Sequence, residues 1–311
     1  MITALAPAKV NLALAITGRR ADGFHELVSV FVRVGLADRL SVEVAATWTQ
    51  GDRLTVDGAS PSRTQRSNLV LRATEELRGH LGQALPPLDW TLEKHIPYAA
   101  GLAGGSSDGA AALGLATAAW GVALSDEDRL DLAARLGSDV PFFVTHAATA
   151  LVEGRGERIG PLPSPTDHPA VLLITTATGL STTAVFAELD ASEPVPRTSR
   201  STAAARELAA ALEAGLDAEG FAGWAARLRD ANDLWAPVLR LRPEIGAHRA
   251  SLEAVLERPV LLSGSGPTLV ALYPSLEAAE AGRERATRRA DLHGLQLTAT
   301  PVRDPAHMEG R

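Results

Sequence analysis

The sequence predicts an α+β protein of two domains, and three observations carry that prediction. The chain has 311 residues, against ~100–200 for an ordinary domain. Strand-like and helical stretches are mixed in both halves rather than sorted into strict strand–helix alternation. Residues 160–169 (GPLPSPTDHP) hold four prolines. They mark the expected boundary, with domains over 1–160 and 161–311.

Taken in order, the chain opens with small and apolar residues at every second position over 2–16 (Ala4, Ala6, Ala8, Val10, Leu12, Leu14, Ile16). This spacing predicts a strand, closed by a turn over 17–23. Residues 27–36 and 40–44 read as two further strands. A helix is expected over 68–80, capped by Ser67. Then come a short strand at 90–93, an Ala-rich helix at 107–120, and a helix at 125–136. The Ser-Asp-Glu-Asp start of this last helix suits an N-cap and first turn. Residues 149–153 return as a strand. In the second half, 170–175 is an apolar strand, 192–201 a mobile polar loop, and 203–215 and 221–228 are helices. The end reads as strand 259–262, a glycine turn, strand 268–272, helix 276–289 and strand 293–300. The tail from Pro305 is expected to be disordered.

Composition narrows the function. With 46% hydrophobic and 22% charged residues the chain is an ordinary soluble protein. A net charge of −7 argues against nucleic-acid binding and a polybasic membrane anchor. The absence of cysteine excludes disulfides, thiolate metal sites and a thiol nucleophile. The start MITALAPAK has no apolar core, so no secretory leader is expected. The longest uncharged stretches, 109–125 and 169–187, fall short of the ~20 strongly apolar residues of a membrane span. A cytoplasmic location follows as the expectation.

One asymmetry points to sites. Of the 30 basic residues only Lys9 and Lys94 are lysine, and asparagine occurs only at Asn11, Asn68 and Asn232. Either these are chance survivors, or they stand where a compact ammonium or an amide is required.

The strongest motif is Pro97-Tyr98-Ala99-Ala100-Gly101-Leu102-Ala103-Gly104-Gly105-Ser106-Ser107, running into an Ala-rich helix. Glycines let backbone N–H groups approach a ligand, and the helix start attracts an anion. Ser106 and Ser107 could cap the helix, bind phosphate oxygens or reach a phosphate-bound Mg2+. The segment is neither a Walker A loop nor GxGxxG; read alone, it is a phosphate loop or a flexible lead into a helix. Lys9 and Asn11 share one face of the first strand and need polar partners if buried; otherwise the strand is a solvated edge. Phe24 and His25 beside a glycine turn could stack on and hydrogen-bond a planar base, or be core and surface residues. Asp139 follows a helix ending at Gly137, as a turn acceptor or an active-site carboxylate. Ser263-Gly264-Ser265-Gly266-Pro267-Thr268 is a tight turn or a second ligand loop.

In this order the segments 7–12, 97–107 and 263–268 resemble the three signatures of the GHMP kinase superfamily. The stretches 18–27, 137–143, 179–186 and 232–234 are similar to the branch that acts on a cytidine-diphosphate-linked polyol. The match is collinear from about residue 4 to residue 273. The resemblance implies a two-domain GHMP-kinase fold, with an N-terminal ribosomal-protein-S5-domain-2-like domain, a C-terminal ferredoxin-like α+β domain and the active site between them. It implies ATP as co-substrate, Mg2+, and phosphorylation of an alcohol in the non-mevalonate isoprenoid pathway by a monomer or homodimer. Pro97 through Ser107 match the ATP loop; Asn68 and Lys94 match positions near the adenosine. Lys9 and Asp139 match the catalytic pair, with Asp139 accepting the hydroxyl proton and Lys9 holding it ionised. Phe24 and Phe186 match aromatic groups enclosing the cytosine, and His25 the group reading its edge. Asn11, Thr182, Gly264, Ser265 and Gly266 match further substrate contacts, and Ser106 or Ser107 is a candidate Mg2+ ligand. Two departures stand out: Phe24 replaces the usual Tyr, and Gly109 the usual Ala. The competing readings are another small-molecule kinase of the superfamily, of homoserine or mevalonate type, and a non-catalytic nucleotide-binding protein.

Overall fold

The structure, a computed structural model, describes residues 1–46, 51–57, 67–191 and 199–302. The expected mobile loop lies mostly, and the tail wholly, outside the described residues. The chain divides into two compact units that interleave along the sequence. The first comprises Met1–Ala8, Leu36–Tyr98 and Ala103–His146; the second comprises Lys9–Gly35, Ala99–Leu102 and the chain from Ala147 on. No described helix is long and apolar enough to cross a membrane.

Two long strands, β1 (Ile2–Arg19) and β2 (His25–Val44), pair with each other and contribute to both units. β2 is continuous where the sequence suggested two strands. The reason is Asp38, a charged residue that reads as a break but lies fully buried in the strand. Its carboxylate accepts from the backbone N–H groups of His95 and Ile96 at 2.6 and 2.8 Å, so its burial is compensated.

In the first unit, β3 (Arg53–Asp57) runs parallel to β4 (Leu88–Glu93), and β4 pairs antiparallel with β2 from Arg39 to Val44. Four helices complete the unit: α1 (Leu69–Leu81), α2 (Gly104–Trp120), α3 (Asp126–Leu136) and α4 (Val140–Val144). Buried Leu40, Val42, Trp90, Leu77 and Leu113 belong to its core. The cap of α1 is Asn68 rather than Ser67, since its side chain accepts from Val70 N–H. α2 starts at Gly104, earlier than expected. Its N-cap is Ala103, a non-glycine residue at φ 55°, and no side chain caps it. Ser106 and Ser107 are therefore inside the helix, not capping it. The helix runs unbroken through Gly109, where a Cβ would stand 3.1 Å from that of Leu69. Glycine there permits the close approach of α1.

In the second unit, the first part of β2 pairs with β5 (Thr149–Gly154), which pairs with β6 (Arg158–Leu162). Residues 160–162, read from sequence as the start of a linker, thus form strand. β6 is a sheet edge, where the missing N–H of Pro161 costs no ladder bond. A second sheet is wholly antiparallel in the order β10 (Leu295–Pro301), β7 (Ala170–Thr176), β9 (Leu269–Tyr273), β8 (Leu261–Leu262). Its helices are α5 (Thr182–Asp190), α6 (Arg200–Glu213), α7 (Ala218–Gly223), α8 (Ala225–Leu228), α9 (Trp235–Leu241), α10 (Glu244–Leu256) and α11 (Leu276–Thr287). The core joins Leu14 and Ile16 of β1, Leu172 and Ile174 of β7, and Leu252 and Leu256 of α10.

Candidate active site

In the second unit β1 places Lys9 and Asn11 in the interior, at 4% and 2% exposure, so the solvated-edge alternative is excluded. The Lys9 ammonium donates to Asn11 Oδ1 at 2.5 Å and lies 4.2 Å from the centroid of the Phe31 ring. An ammonium only donates, which fixes the amide oxygen on that side. Asn11 Nδ2 then donates to Ser29 Oγ at 2.9 Å, and Ser29 Oγ donates to the carbonyl of Ala13. The backbone N–H of Lys9 donates to Leu102 O, tying the strand to the glycine loop.

The two glycine loops meet backbone to backbone. Ser263 Oγ accepts from Asn11 N–H at 3.2 Å and donates to Gly101 O at 3.1 Å. Gly101 has φ +77°, and a Cβ on it would stand 2.5 Å from Ser263 O. No side chain fits there. A Cβ on Gly264 would approach Asn11 Oδ1 and Gly101 O at 3.1 and 3.2 Å. Asn232 Nδ2 bridges the carbonyls of Leu262 and Gly264 at 3.0 and 2.9 Å and so sets the shape of the second loop. Thr182 and Ser265 share a hydroxyl hydrogen bond of 2.9 Å, and Leu180 N–H donates to Ala99 O.

An aromatic cluster occupies the same unit. The rings of His25 and Phe186 lie 4.8 Å apart at 31°. His25 Nε2 is 2.8 Å from Asp190 Oδ1. Phe24 is half exposed, with the Arg155 guanidinium 5.2 Å from its centroid.

The first unit holds the other lysine. Lys94 donates to Asp38 Oδ2 and, at 2.9 Å, to Asp108 Oδ2. All three side chains are almost wholly buried. Burial pushes the Asp108 carboxyl up to about 7, the neighbouring Asp38 charge adding to the effect and Lys94 opposing it. Burial pulls Lys94 down, but the two carboxylates outweigh it and hold the ammonium above its ordinary value. The Lys94 ammonium is 5.2 Å from the Tyr98 ring and would be 3.3 Å from a Cβ on Gly104. It lies directly beneath the first turn of α2. Asp139 occupies the N-cap position of α4, and its side chain makes no capping hydrogen bond there.

The hydroxyl of Ser107, in the first turns of α2, is buried without a hydrogen-bond partner among the described residues. A neutral oxygen in that position suits a phosphate oxygen or a phosphate-bound Mg2+. Among the described residues no cluster of three His, Asp or Glu side chains could hold a metal. A single neutral hydroxyl fits a cation carried mainly by phosphate.

Each unit gathers some of the sequence-derived residues. Lys9, Asn11, Gly101, Gly264, Ser265 and Thr182 form one connected network, and His25 joins Phe186. Lys94 meets acids that sequence reasoning did not assign, and the Asn68 side chain caps α1. Ser29, Asp38, Asp108, Asp190 and Asn232 were missed as site residues. Only Asn232 carried a signal, its scarcity.

Comparison with known proteins agrees with this chemistry. The family description "GHMP kinases N terminal domain" matches residues 68–146. The 4-diphosphocytidyl-2-C-methyl-D-erythritol kinase of Streptomyces coelicolor is 39% identical, covering 89% of each chain. Its counterpart from Parvibaculum lavamentivorans is 41% identical, covering 89% of this chain and 91% of the relative. A crystal structure of 4-(cytidine 5'-diphospho)-2C-methyl-D-erythritol kinase superposes with a TM-score of 0.70 at 31% identity, covering 96% of this chain and 98% of that one. The chain belongs to the 4-diphosphocytidyl-2-C-methyl-D-erythritol kinase family of the GHMP kinases.

Proposed function

We propose that this chain transfers the γ-phosphoryl group of ATP to the 2-hydroxyl of 4-diphosphocytidyl-2-C-methyl-D-erythritol, releasing ADP, as a step of non-mevalonate isoprenoid synthesis in the cytoplasm. The observation that carries the reading is the locked glycine loop, in which Gly101 is closed against Ser263 while Lys9 is oriented from below by Asn11.

Phosphoryl transfer needs positioning and charge stabilisation more than covalent chemistry. Residues 97–107 bind the triphosphate through backbone N–H groups and the positive end of α2. Lys9 offsets charge developing on the transferred group. Asp139 accepts the proton of the 2-hydroxyl, and a largely dissociative transition state asks little basicity of it. Asn11 holds Lys9 by its amide oxygen and so acts through it. Ser107 or Ser106 would hold Mg2+, which would supply neutralisation of phosphate charge. Phe24, Phe186 and His25 take the cytosine; Thr182, Ser265 and the glycines at 264 and 266 contact the rest of the substrate. Asn68 lies near the adenosine through its remaining polar groups, and Lys94 supports the loop from beneath.

The test is ADP release with Mg-ATP and this substrate, beside homoserine, mevalonate and the Asp139→Asn variant. ADP release that requires the cytidine substrate and is lost in the variant supports the reading. Turnover of a plain alcohol in preference to it would overturn it. Phe24→Ala should raise KM for the cytidine substrate far more than for ATP.

A further inference from the structure

His25 is held by a residue outside every role assigned above. Asp190 is the last residue of α5, one helical turn beyond Phe186, so both side chains stand on one face of that helix. Its Oδ1 is 2.8 Å from His25 Nε2, and its Oδ2 is 3.5 Å from the Arg19 guanidinium. The His25 side chain is only 9% exposed and makes no other hydrogen bond among the described residues.

An ionised carboxylate can only accept. The hydrogen between the two groups must therefore be carried by Nε2. In the neutral ring that leaves Nδ1 as a bare acceptor. The same logic orients histidines elsewhere, where a carboxylate on one ring nitrogen dictates the chemistry of the other.

We propose that Asp190 is the positioning residue that makes the His25 ring an acceptor at Nδ1, and thereby selects a pyrimidine bearing an exocyclic amino group over one bearing an oxo group. This rests on the reading that the base lies against Phe186 and Phe24. A cytosine amino group donates to Nδ1. A uracil carbonyl at the same place sets lone pair against lone pair, and a buried unmatched polar pair is rejected strongly. The Arg19 guanidinium stands on the other carboxylate oxygen, on the side away from the ring contact.

The test uses the full chain with Asp190→Asn and Asp190→Leu. The Asn amide can face the ring with either its oxygen or its nitrogen, so both tautomers become available; Leu removes the acceptor. Steady-state kinetics are run with the cytidine-diphosphate polyol and its uridine-diphosphate counterpart. The ratio of their kcat/KM values should fall about tenfold in both variants, the size of one lost hydrogen bond. KM for ATP should stay within about twofold. Nitrogen-15 NMR of the His25 ring without substrate should show Nε2–H in the wild type and a tautomer mixture in Asp190→Leu, a change that lost packing alone would not cause. An unchanged selectivity ratio, or an unchanged tautomer, would overturn the proposal. Phe186→Ala separates the two readings. If it raises KM for the cytidine substrate while the Asp190 variants keep their selectivity, only the role of Asp190 falls. If it leaves KM unaltered, the base is not at this cluster and both readings fall.

Discussion

The two lysines of this chain meet different partners among the contacts described above. Lys9, in the second unit, is oriented by an amide oxygen and an aromatic face. Both contacts aim the ammonium. Lys94, in the first unit, is clamped by two carboxylates. There the positive charge is consumed inside the protein. Scarcity marked both residues equally, yet their partners give them different work. One is aimed by an amide oxygen and a ring; the other closes an ionic knot under a helix.

The largest effect expected from this contrast is on turnover at Lys9. Lys9→Ala should lower kcat by at least ~10²-fold, as for loss of a transition-state charge donor, with cooperative unfolding retained. Lys9→Arg should not restore it, because a planar fork does not fit a site shaped for a compact ammonium. Single-turnover rates check this. Near-normal kcat in Lys9→Ala would end the contrast from one side.

Next is stability at Lys94. Lys94→Met strands two carboxylates in the interior and should cost about 3–5 kcal/mol in urea unfolding. Adding Asp108→Leu should recover part of that loss. A Lys94→Met protein of normal stability but no affinity for ATP would reverse the contrast, making this lysine a ligand contact.

The smallest effect is a pH slope. The Asp108 carboxyl is raised from 3.8 to about 7 in the folded protein. Between those values the folded state holds a proton that the unfolded chain has released. Stability contributed by this group therefore falls as pH rises from about 4 to 7 and is flat above. The raised Lys94 ammonium acts in the same direction in a higher pH range: its contribution is complete below its unfolded value of 10.5 and falls as pH rises above it. Asp108→Asn should flatten the slope between about pH 4 and 7 in urea midpoints. An identical slope would show that Asp108 titrates normally.

Features that rest on local pattern were legible in the sequence. The first strand, the glycine loop, the helix start at Ser125 and the segment ending at Asp139 all followed from spacing and cap chemistry. What was hidden depends on partners far away in the chain. The continuity of β2 rests on Asp38 meeting residues 94–96. α10 went unread because Arg249 interrupts its apolar stripe. That residue is buried, stacked 4.3 Å from the Trp235 centroid and paired with Asp230 at 2.6 Å. β6 was masked by prolines that an edge strand tolerates. In the site, residue types and loops could be read, but not that Asn11 spends both ends of its amide internally. Asp190 could not be read either, since 165 residues separate it from His25.

The seam between the two glycine loops also sets a clock. Ser263 fastens residues 162 and 252 positions earlier in the chain. During synthesis, the phosphate loop emerges long before the serine that locks Gly101, so a growing chain carries the complete signature of a nucleotide site without its final shape. Contacts of such separation form late and slowly. The final shape of the glycine loop should thus be reached only when the last fifty or so residues are being made.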